Sequence, residues 1–170
     1  MKSAIGSLVM MVLAVPAWAQ HQHHQMPYAG LQERDVKALS AQQIADLRAG
    51  RGMGLALPGE LNGYPGPVHV LELASQLQLS ADQRQRVQQL FEAMKAEAIV
   101  VGEKLIEQEG ALDRAFAEQN ISLATLTHLT SQIGATQGQL RAVHLKYHLT
   151  TAEALTTHQW HVYAELRGYR

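Results

Sequence analysis

The chain lacks cysteine altogether and has few aromatic residues. Without thiols it cannot form disulfides, bind metal through thiolates or carry a lipid on a cysteine, so the fold must depend on an apolar core or on self-association. Aromatic residues make up 5% of the 170 residues, while alanine, leucine and glutamine are abundant. This composition favours long helices over a sheet, and it predicts an all-α protein.

Recognisable catalytic motifs are also missing. The chain has no HExxH, no Gly-x-Ser-x-Gly and no glycine-rich phosphate loop followed by Lys-Ser or Lys-Thr. The stretch Arg51-Gly52-Met53-Gly54 is rich in glycine, but it lacks the preceding strand and the following helix of a nucleotide-binding loop. We therefore expect a protein that binds something and is not an enzyme.

Residues 1–19 have the three parts of a secretory signal, which are Lys2 at the start, an apolar run over 4–15, and Ala17-Trp18-Ala19. We expect cleavage after Ala19 and export to the periplasm. A membrane anchor is the alternative, but the run is shorter than the ~20 residues that span a bilayer, and no cationic stop-transfer flank follows it. We expect no membrane span in the mature chain.

Net charge argues against a nucleic-acid partner. Loss of Lys2 with the signal leaves 13 basic and 15 acidic residues, a formal charge of −2 with histidine neutral. This balance provides no basic surface for nucleic acid. Histidine, in contrast, occurs nine times, and composition alone does not account for that number.

Three copies of the pattern Leu-Ser/Thr-x-x-Gln predict helix starts. In each copy the hydroxyl accepts a hydrogen bond from the amide of the glutamine, and the glutamine side chain accepts one from the amide of the hydroxyl residue. The copies are Leu39–Gln43, Leu79–Gln83 and Leu155–Gln159.

Two long amphipathic helices are predicted from apolar residues spaced by threes and fours. The first begins at Ser80 and extends to about Gln119, where Asn120-Ile121-Ser122 interrupts it. Ser122 caps the second helix, whose apolar stripe extends to Tyr147. Because a short connection joins the two helices, we expect a long antiparallel hairpin.

Shorter helices flank the hairpin and are expected over residues 41–49, 68–78 and 157–166. The segment between the first two holds five glycines and three prolines over residues 51–67, and this predicts a bend without helix. The result is a hooked four-helix arrangement. Leu145 and Leu149 lie away from the main stripe and form a second apolar surface for the C-terminal helix or a dimer partner. We expect both the short helices and a second copy of the chain to cover the hairpin.

We divide the chain into a signal peptide over residues 1–19, a flexible histidine-rich segment over 20–38 and a helical domain over 39–170. The segment 20–26 contains His21, His23 and His24 together with a methionine. Such a tract takes up copper, nickel or zinc when its imidazoles are unprotonated, or it serves as a soluble spacer. Metal uptake and a spacer role both remain possible interpretations of this tract.

His144 and His148 are the first candidates for a structured metal site. They are four residues apart in a predicted helix, so both imidazoles point the same way from consecutive turns and flank the apolar stripe. That spacing suits the chelation of one metal ion. The alternative is a pair of partly exposed histidines on the shoulder of the helix.

His69 and Glu72 are the second candidates, at positions i and i+3 in the helix that Pro67 opens. An imidazole and a carboxylate are compatible ligands for zinc, nickel, cobalt or copper. Without a partner site, the pair is a helix start that happens to carry these two side chains. If the fold brings them against His144 and His148, the four side chains form a credible site.

The three boxes, in a signal-bearing and cysteine-free helical chain, resemble the Spy/CpxP family of periplasmic proteins and its heavy-metal sensor and resistance branch. The likeness covers roughly Leu39 to Tyr169 and is strongest at Leu79–Gln83 and Leu155–Gln159. Tyr64–Leu73 and the ending Leu166–Tyr169 are similar to the metal-sensor branch.

The resemblance implies a helical hairpin that dimerises. Some members hold aggregation-prone proteins or restrain a sensor kinase, and others bind a transition metal and report it to a regulator. Their metal sites use histidines spaced HxxxH together with a carboxylate and a further histidine or methionine. His144 and His148 match that spacing, and His69 with Glu72 could stand for the rest.

We therefore expect a non-catalytic periplasmic protein that binds a divalent transition metal, namely nickel, cobalt, copper or zinc, in heavy-metal resistance or sensing. Its expected partners are a second copy of the chain and a membrane-bound sensor or regulator. The alternative function is that of a metal-independent holdase chaperone for unfolded client proteins, or of an envelope-stress regulator.

Overall fold

The computed structural model describes residues 26–169 and is all-helical, with no strand within that range. Within residues 26–169 a 3₁₀ turn at Leu31–Glu33 precedes six α-helices, two more than the expected four-helix arrangement. These are α1 (Ala41–Arg48), α2 (Leu57–Glu60), α3 (Pro67–Glu72), α4 (Ala81–Ala117), α5 (Leu123–Glu153) and α6 (Thr157–Leu166). None of the described helices combines the length and the apolar character that a membrane crossing requires.

The three Leu-Ser/Thr-x-x-Gln boxes begin α1, α4 and α6, and each forms both hydrogen bonds of the predicted cap. Two of the glutamines have a second role. Gln83 and Gln159 bond to each other at 2.8 Å, Gln83 also donates to the carbonyl of Ala154, and Gln159 donates to that of Leu77. The caps therefore also connect the start of α4 to the start of α6.

The two long helices pack against each other along their apolar stripes. Gln83 near the start of α4 contacts Ala154 just after α5, and Glu97 in the middle of α4 accepts hydrogen bonds from Lys146 and Tyr147. The main core begins near the second of these contacts and extends toward the connection between the two helices; it is formed chiefly by Met94, Ala98, Val101, Leu105, Ile133, Leu140, Val143 and Tyr147. A second core of Val70, Leu77, Val87 and Tyr163 joins α3 and α6 to α4.

One additional helix and one helix end differ from the sequence-based predictions. The segment 51–67 was expected to lack helix, yet Leu57–Glu60 forms one helical turn, which Pro58 favours because proline is tolerated in a first turn. The helix expected over 68–78 ends at Glu72 and continues as a series of tight turns. Gln78 closes these turns with a left-handed φ of 51°, which lets Leu79 donate to the carbonyl of Ala74.

Residues just before Leu39 also pack on the long helices. Val36 is buried in the main core, and Lys37 forms an ion pair with Asp113 of α4 at 3.4 Å. Burial of Val36 therefore anchors the residues just before α1 to the long helix. The histidine tract over residues 20–25 lies outside the described residues.

Gly102 allows α1 to pack closely on α4. A Cβ atom at this position would lie 2.8 Å from the backbone oxygen of Leu47, which is closer than real side chains come. Gly134 in α5 differs, because an added Cβ there would meet no atom of the described chain within 4 Å. The two glycines therefore form a matched pair for testing the packing of α1.

We predict that Gly102→Ala lowers the free energy of unfolding by about 1–3 kcal/mol, because the new methyl group forces α1 away from α4. Gly134→Ala is expected to raise it by about 1 kcal/mol, since alanine has the better helix propensity and meets no obstacle. Urea unfolding followed by circular dichroism measures both. Equal effects of the two substitutions would contradict the close packing of α1.

Candidate functional site

A cavity of about 640 Å³ lies where the loop after α1, the start of α3, the two long helices and the C-terminal residues meet. We call it the histidine cavity. Its wall is mostly apolar, and the polar side chains that line it are Arg51, Glu60, His69, Lys95, His144, His148, Arg167 and Tyr169. A volume of this size with a few converging polar groups is typical of a binding site.

His144 is buried in the wall of this cavity, with only 2% of its surface exposed. Its Nε2 atom has no hydrogen-bond partner within residues 26–169. Burial, and to a lesser extent the nearby His148, lowers the pKa of His144 below its usual value. The neutral ring therefore lies in a place where charge is disfavoured, and among the described residues its Nε2 lacks the hydrogen-bond partner that buried polar atoms usually have.

His148 lies one turn further along α5 and is also buried. Its Nδ1 atom lies 2.7 Å from the backbone oxygen of Tyr64. Because a carbonyl oxygen only accepts, Nδ1 carries the proton, and in the neutral ring Nε2 then holds the lone pair. Gly66 packs against this edge of the ring, since a Cβ there would lie 2.9 Å from Cε1 and 3.0 Å from Nε2.

Glu60 is a buried carboxylate beside His148, with Oε2 at 3.6 Å from Nδ1. The backbone amide of Gly66 donates to the same oxygen at 3.1 Å. The other oxygen, Oε1, accepts from the hydroxyls of Tyr163 at 2.5 Å and Tyr169 at 2.9 Å. Both oxygens are thus engaged, as a buried charge requires.

The Glu60 cluster ties the C-terminal residues to the cavity. Arg167 adds a cation 3.4 Å from the carboxylate, and its Nε donates to the Tyr169 hydroxyl at 3.2 Å. Burial raises the pKa of Tyr163, and the hydrogen bond to Glu60 adds to this effect, so the phenol stays a donor at neutral pH. The cluster holds Glu60 in place behind His148.

His69 lines the same cavity, and its Nδ1 lies 2.9 Å from Glu72. The structure therefore brings the imidazoles of His69, His144 and His148 to one cavity. Glu72 does not line the histidine cavity, and 60% of its side chain is exposed. Over residues 26–169 no group of three or more His, Asp or Glu side chains is arranged to hold a metal ion. His21, His23 and His24 lie outside the described range.

The remaining histidines of the helices are exposed, as their surface positions in the sequence predict; they are His128, His158 and His161. Their exposure separates them from the buried pair in α5. The alternative interpretation of His144 and His148, partly exposed side chains on a helix shoulder, is wrong because both are at most 8% exposed.

Sequence reasoning missed Glu60, Gly66 and the two methionines of the cavity wall, Met53 and Met94. Met94 is part of the apolar stripe of α4 and gives no signal beyond its periodicity. Glu60 and Gly66 lie in the glycine- and proline-rich segment, where no periodic pattern marks a buried side chain. The density of glycine there is the one available signal, because close packing against a ring requires it.

Comparisons with protein-family models, with curated proteins and with solved structures each found no match for this chain.

We predict that the metal-free protein loses stability as the pH falls through 6.5, the ordinary imidazole pKa. The pKa of His144 is lowered in the folded state, so below 6.5 the unfolded chain binds the proton more readily and is favoured. The contribution is complete above pH 6.5 and is lost as the pH falls toward the folded-state pKa. Urea unfolding across this range measures it.

His144→Leu removes the titrating ring and should flatten this part of the pH dependence. His128→Leu is the control, because it removes an exposed histidine from the same helix. A pH dependence that is unchanged in His144→Leu would contradict the prediction.

We further predict that Tyr163→Phe lowers the free energy of unfolding by about 1–3 kcal/mol, because the buried Glu60 carboxylate loses a donor while the ring stays in place. Tyr28→Phe, at an exposed tyrosine, is the control and should leave stability unchanged. Urea unfolding measures both variants. Equal stability would mean that the hydrogen bond to Glu60 contributes nothing.

Proposed function

We propose that this chain is an exported, non-catalytic transition-metal-binding protein of a heavy-metal resistance or sensing system. The observation that carries the proposal is the pair of buried imidazoles, His144 and His148, in the wall of one cavity. Nitrogen ligands of this kind suit nickel, cobalt, copper and zinc.

Three histidine nitrogens support a metal ion in this cavity, although no group of three His, Asp or Glu side chains in residues 26–169 is already arranged to hold one. His144 has a buried Nε2 atom that lacks a hydrogen-bond partner in the described part of the chain. His148 and His69 use Nδ1 on an oxygen atom, of Tyr64 and Glu72 respectively, and this leaves Nε2 for a ligand. Metal-binding histidines commonly donate their other nitrogen in this way, because the bond fixes the tautomer and the ring orientation.

Glu72 and Glu60 have different roles in this proposal. Glu72 orients His69 at the edge of the cavity, and Glu60 lies behind His148 and adds negative charge near its Nδ1–H. A metal bound at Nε2 withdraws electrons from the ring, and a nearby carboxylate stabilises it. The histidines His21, His23 and His24 would take up metal separately, as a histidine-rich tract does when its imidazoles are unprotonated.

The expected dimer and hairpin belong to the same proposal. Leu57 and Leu61 of the segment around α2 and Leu149 of α5 are exposed, while Leu145 packs near Gly59. The three exposed leucines provide an apolar surface for a second copy of the chain. A membrane-bound sensor or regulator would read the metal-loaded state.

A metal-independent holdase is the second candidate function, and the tip of the long helices favours it. Phe116 near the end of α4 is 54% exposed, and Leu123 at the start of α5 is 78% exposed. Exposed apolar side chains of this size are what a chaperone offers to unfolded clients. Suppression of client aggregation by the metal-free protein, unchanged by chelator, would support this function.

Calorimetric titration with nickel, cobalt, copper(II) and zinc tests the metal-binding function. The protein should carry His21→Ala, His23→Ala and His24→Ala, so that the tract does not contribute. The further substitutions His144→Ala and His148→Ala should then weaken metal binding by about tenfold or more. Loss of a residue that only supports a metal ligand already weakens metal affinity on this scale. Binding that is unchanged in this variant would contradict the assigned site.

Gly66→Ala tests the same site without removing a ligand. The new methyl group would collide with the ring of His148 and should weaken metal binding by displacing it. Gly134→Ala is the matched control, because it adds a methyl group where the described chain leaves space.

A further inference from the structure

Residues 167–169 lie at the rim of the histidine cavity, and we call them the strap. Helix α6 ends at Leu166, and Gly168 with a φ of 71° then turns the chain, so that the amide of Tyr169 donates back to α6. Arg167 and Tyr169 both line the cavity and are partly exposed, and Gly168 between them is exposed. The strap is therefore the part of the cavity wall that follows the last helix.

The strap is attached to the rest of the protein through one carboxylate. Tyr169 donates its hydroxyl to Oε1 of Glu60 at 2.9 Å, and Nε of Arg167 lies 3.4 Å from the same oxygen. Nε of Arg167 also donates to the Tyr169 hydroxyl at 3.2 Å, so the two side chains reach Glu60 together. Among the described residues, the strap has no other hydrogen bond or ion pair outside α6.

Glu60 is held in place independently of the strap. Its Oε2 accepts from the amide of Gly66 at 3.1 Å, and its Oε1 accepts from the hydroxyl of Tyr163 at 2.5 Å. Gly66 and Tyr163 are both buried. If the strap leaves, the carboxylate keeps these two donors, as a buried charge requires. The strap can therefore separate from Glu60 while Glu60 stays where it is.

His148 lies directly beside this contact and is enclosed on its other sides. Oε2 of Glu60 is 3.6 Å from Nδ1 of His148, and the carbonyl of Tyr64 is 2.7 Å from the same atom. Cβ atoms added at Gly59 and Gly66 would lie 3.7 Å or less from atoms of the ring. Only 8% of His148 is exposed. An ion that reaches this ring must come through the cavity, since these residues cover the other approaches.

The other walls of the cavity are fixed more firmly than the strap. The helices α4 and α5 pack along the main core, and α3 packs in the second core. The loop after α1 is joined to the chain at both ends, and its Gly50 lies against the backbone of α4, where a Cβ would be 2.8 Å from the oxygen of Lys95. The strap is thus the wall that opens at the smallest cost in contacts.

Resting on the proposed metal-binding function, we infer that the strap is the gate of the histidine cavity. It separates from Glu60 to let an ion reach His148, and it closes again once the ion is bound. A gate of this kind controls rates, because a weaker closing contact speeds both the entry and the release of the ion. The affinity changes less than the rates, since the strap closes over the empty and the loaded cavity alike.

The test uses the full mature chain, in which alanine replaces His21, His23 and His24. The gate variant combines Arg167→Gln and Tyr169→Phe, which remove the charge and the hydroxyl that hold the strap on Glu60. The matched control combines Arg48→Gln and Tyr28→Phe, the same changes at exposed positions outside the cavity lining. Circular dichroism and urea unfolding verify that both variants fold, and Tyr169→Phe alone takes the place of a gate variant that does not.

Diethyl pyrocarbonate acylates neutral imidazoles and measures access to His148 in the metal-free protein, with mass spectrometry giving the rate at each histidine. We expect His148 to react faster in the gate variant by about tenfold or more, the scale of losing hydrogen bonds to a charged group. The rate at His128, which is exposed in the same helix, should not change, and neither should any rate in the matched control. A rise no larger than the change in global unfolding measured with urea would overturn the gate, because unfolding alone would then expose the ring.

Release of zinc to an excess of a chromophoric chelator gives a second readout. Stopped-flow absorbance should show release about tenfold faster or more in the gate variant, while the Kd for zinc changes by about threefold or less. Unchanged rates of His148 acylation and zinc release in a folded gate variant would overturn this inference and leave the proposed function standing. Absence of zinc, nickel, cobalt and copper binding would overturn the proposed function, and faster acylation of His148 would still support the gate.

Discussion

The buried carboxylate of Glu60 is the group on which the geometry of the cavity depends. It accepts hydrogen bonds from Gly66, Tyr163 and Tyr169, and it faces the ring of His148. A buried charge is tolerated only when its lone pairs are satisfied, so each of these donors must be in place for the carboxylate to stay buried. One side chain thus links the segment between α2 and α3, the last helix and the histidine of α5.

The hydrogen bonds of Glu60 help to explain how the short helices are held in place against α4 and α5. The packing of α4 against α5 provides rigid positions for Met94, His144 and His148. The shorter segments are held by polar contacts, with Gln83 and Gln159 joining the helix starts and Tyr64 accepting from His148. Because these contacts end on backbone atoms as well as side chains, they limit the movement of the loops around the cavity.

The chemistry of the cavity follows from what this scaffold buries. Two imidazoles are taken out of water, one of them without a hydrogen-bond partner in the described chain, and the nearest carboxylate is already occupied by tyrosines. The C-terminal residues take part in this arrangement, since Tyr163 of α6 and Tyr169 after it donate hydrogen bonds to Glu60.

The sequence by itself determined the two long helices and the starts of α1, α4 and α6, because periodicity and capping are interactions between residues three or four apart. It also determined that His144 and His148 point the same way. Only the tertiary structure decided that both are buried, that Glu60 rather than Glu72 lies beside them, and that Met53 and Met94 share their cavity. Those contacts join residues as far apart as Tyr64 and His148, 84 positions along the chain. No local pattern encodes such a pairing, since it results from how the whole chain packs.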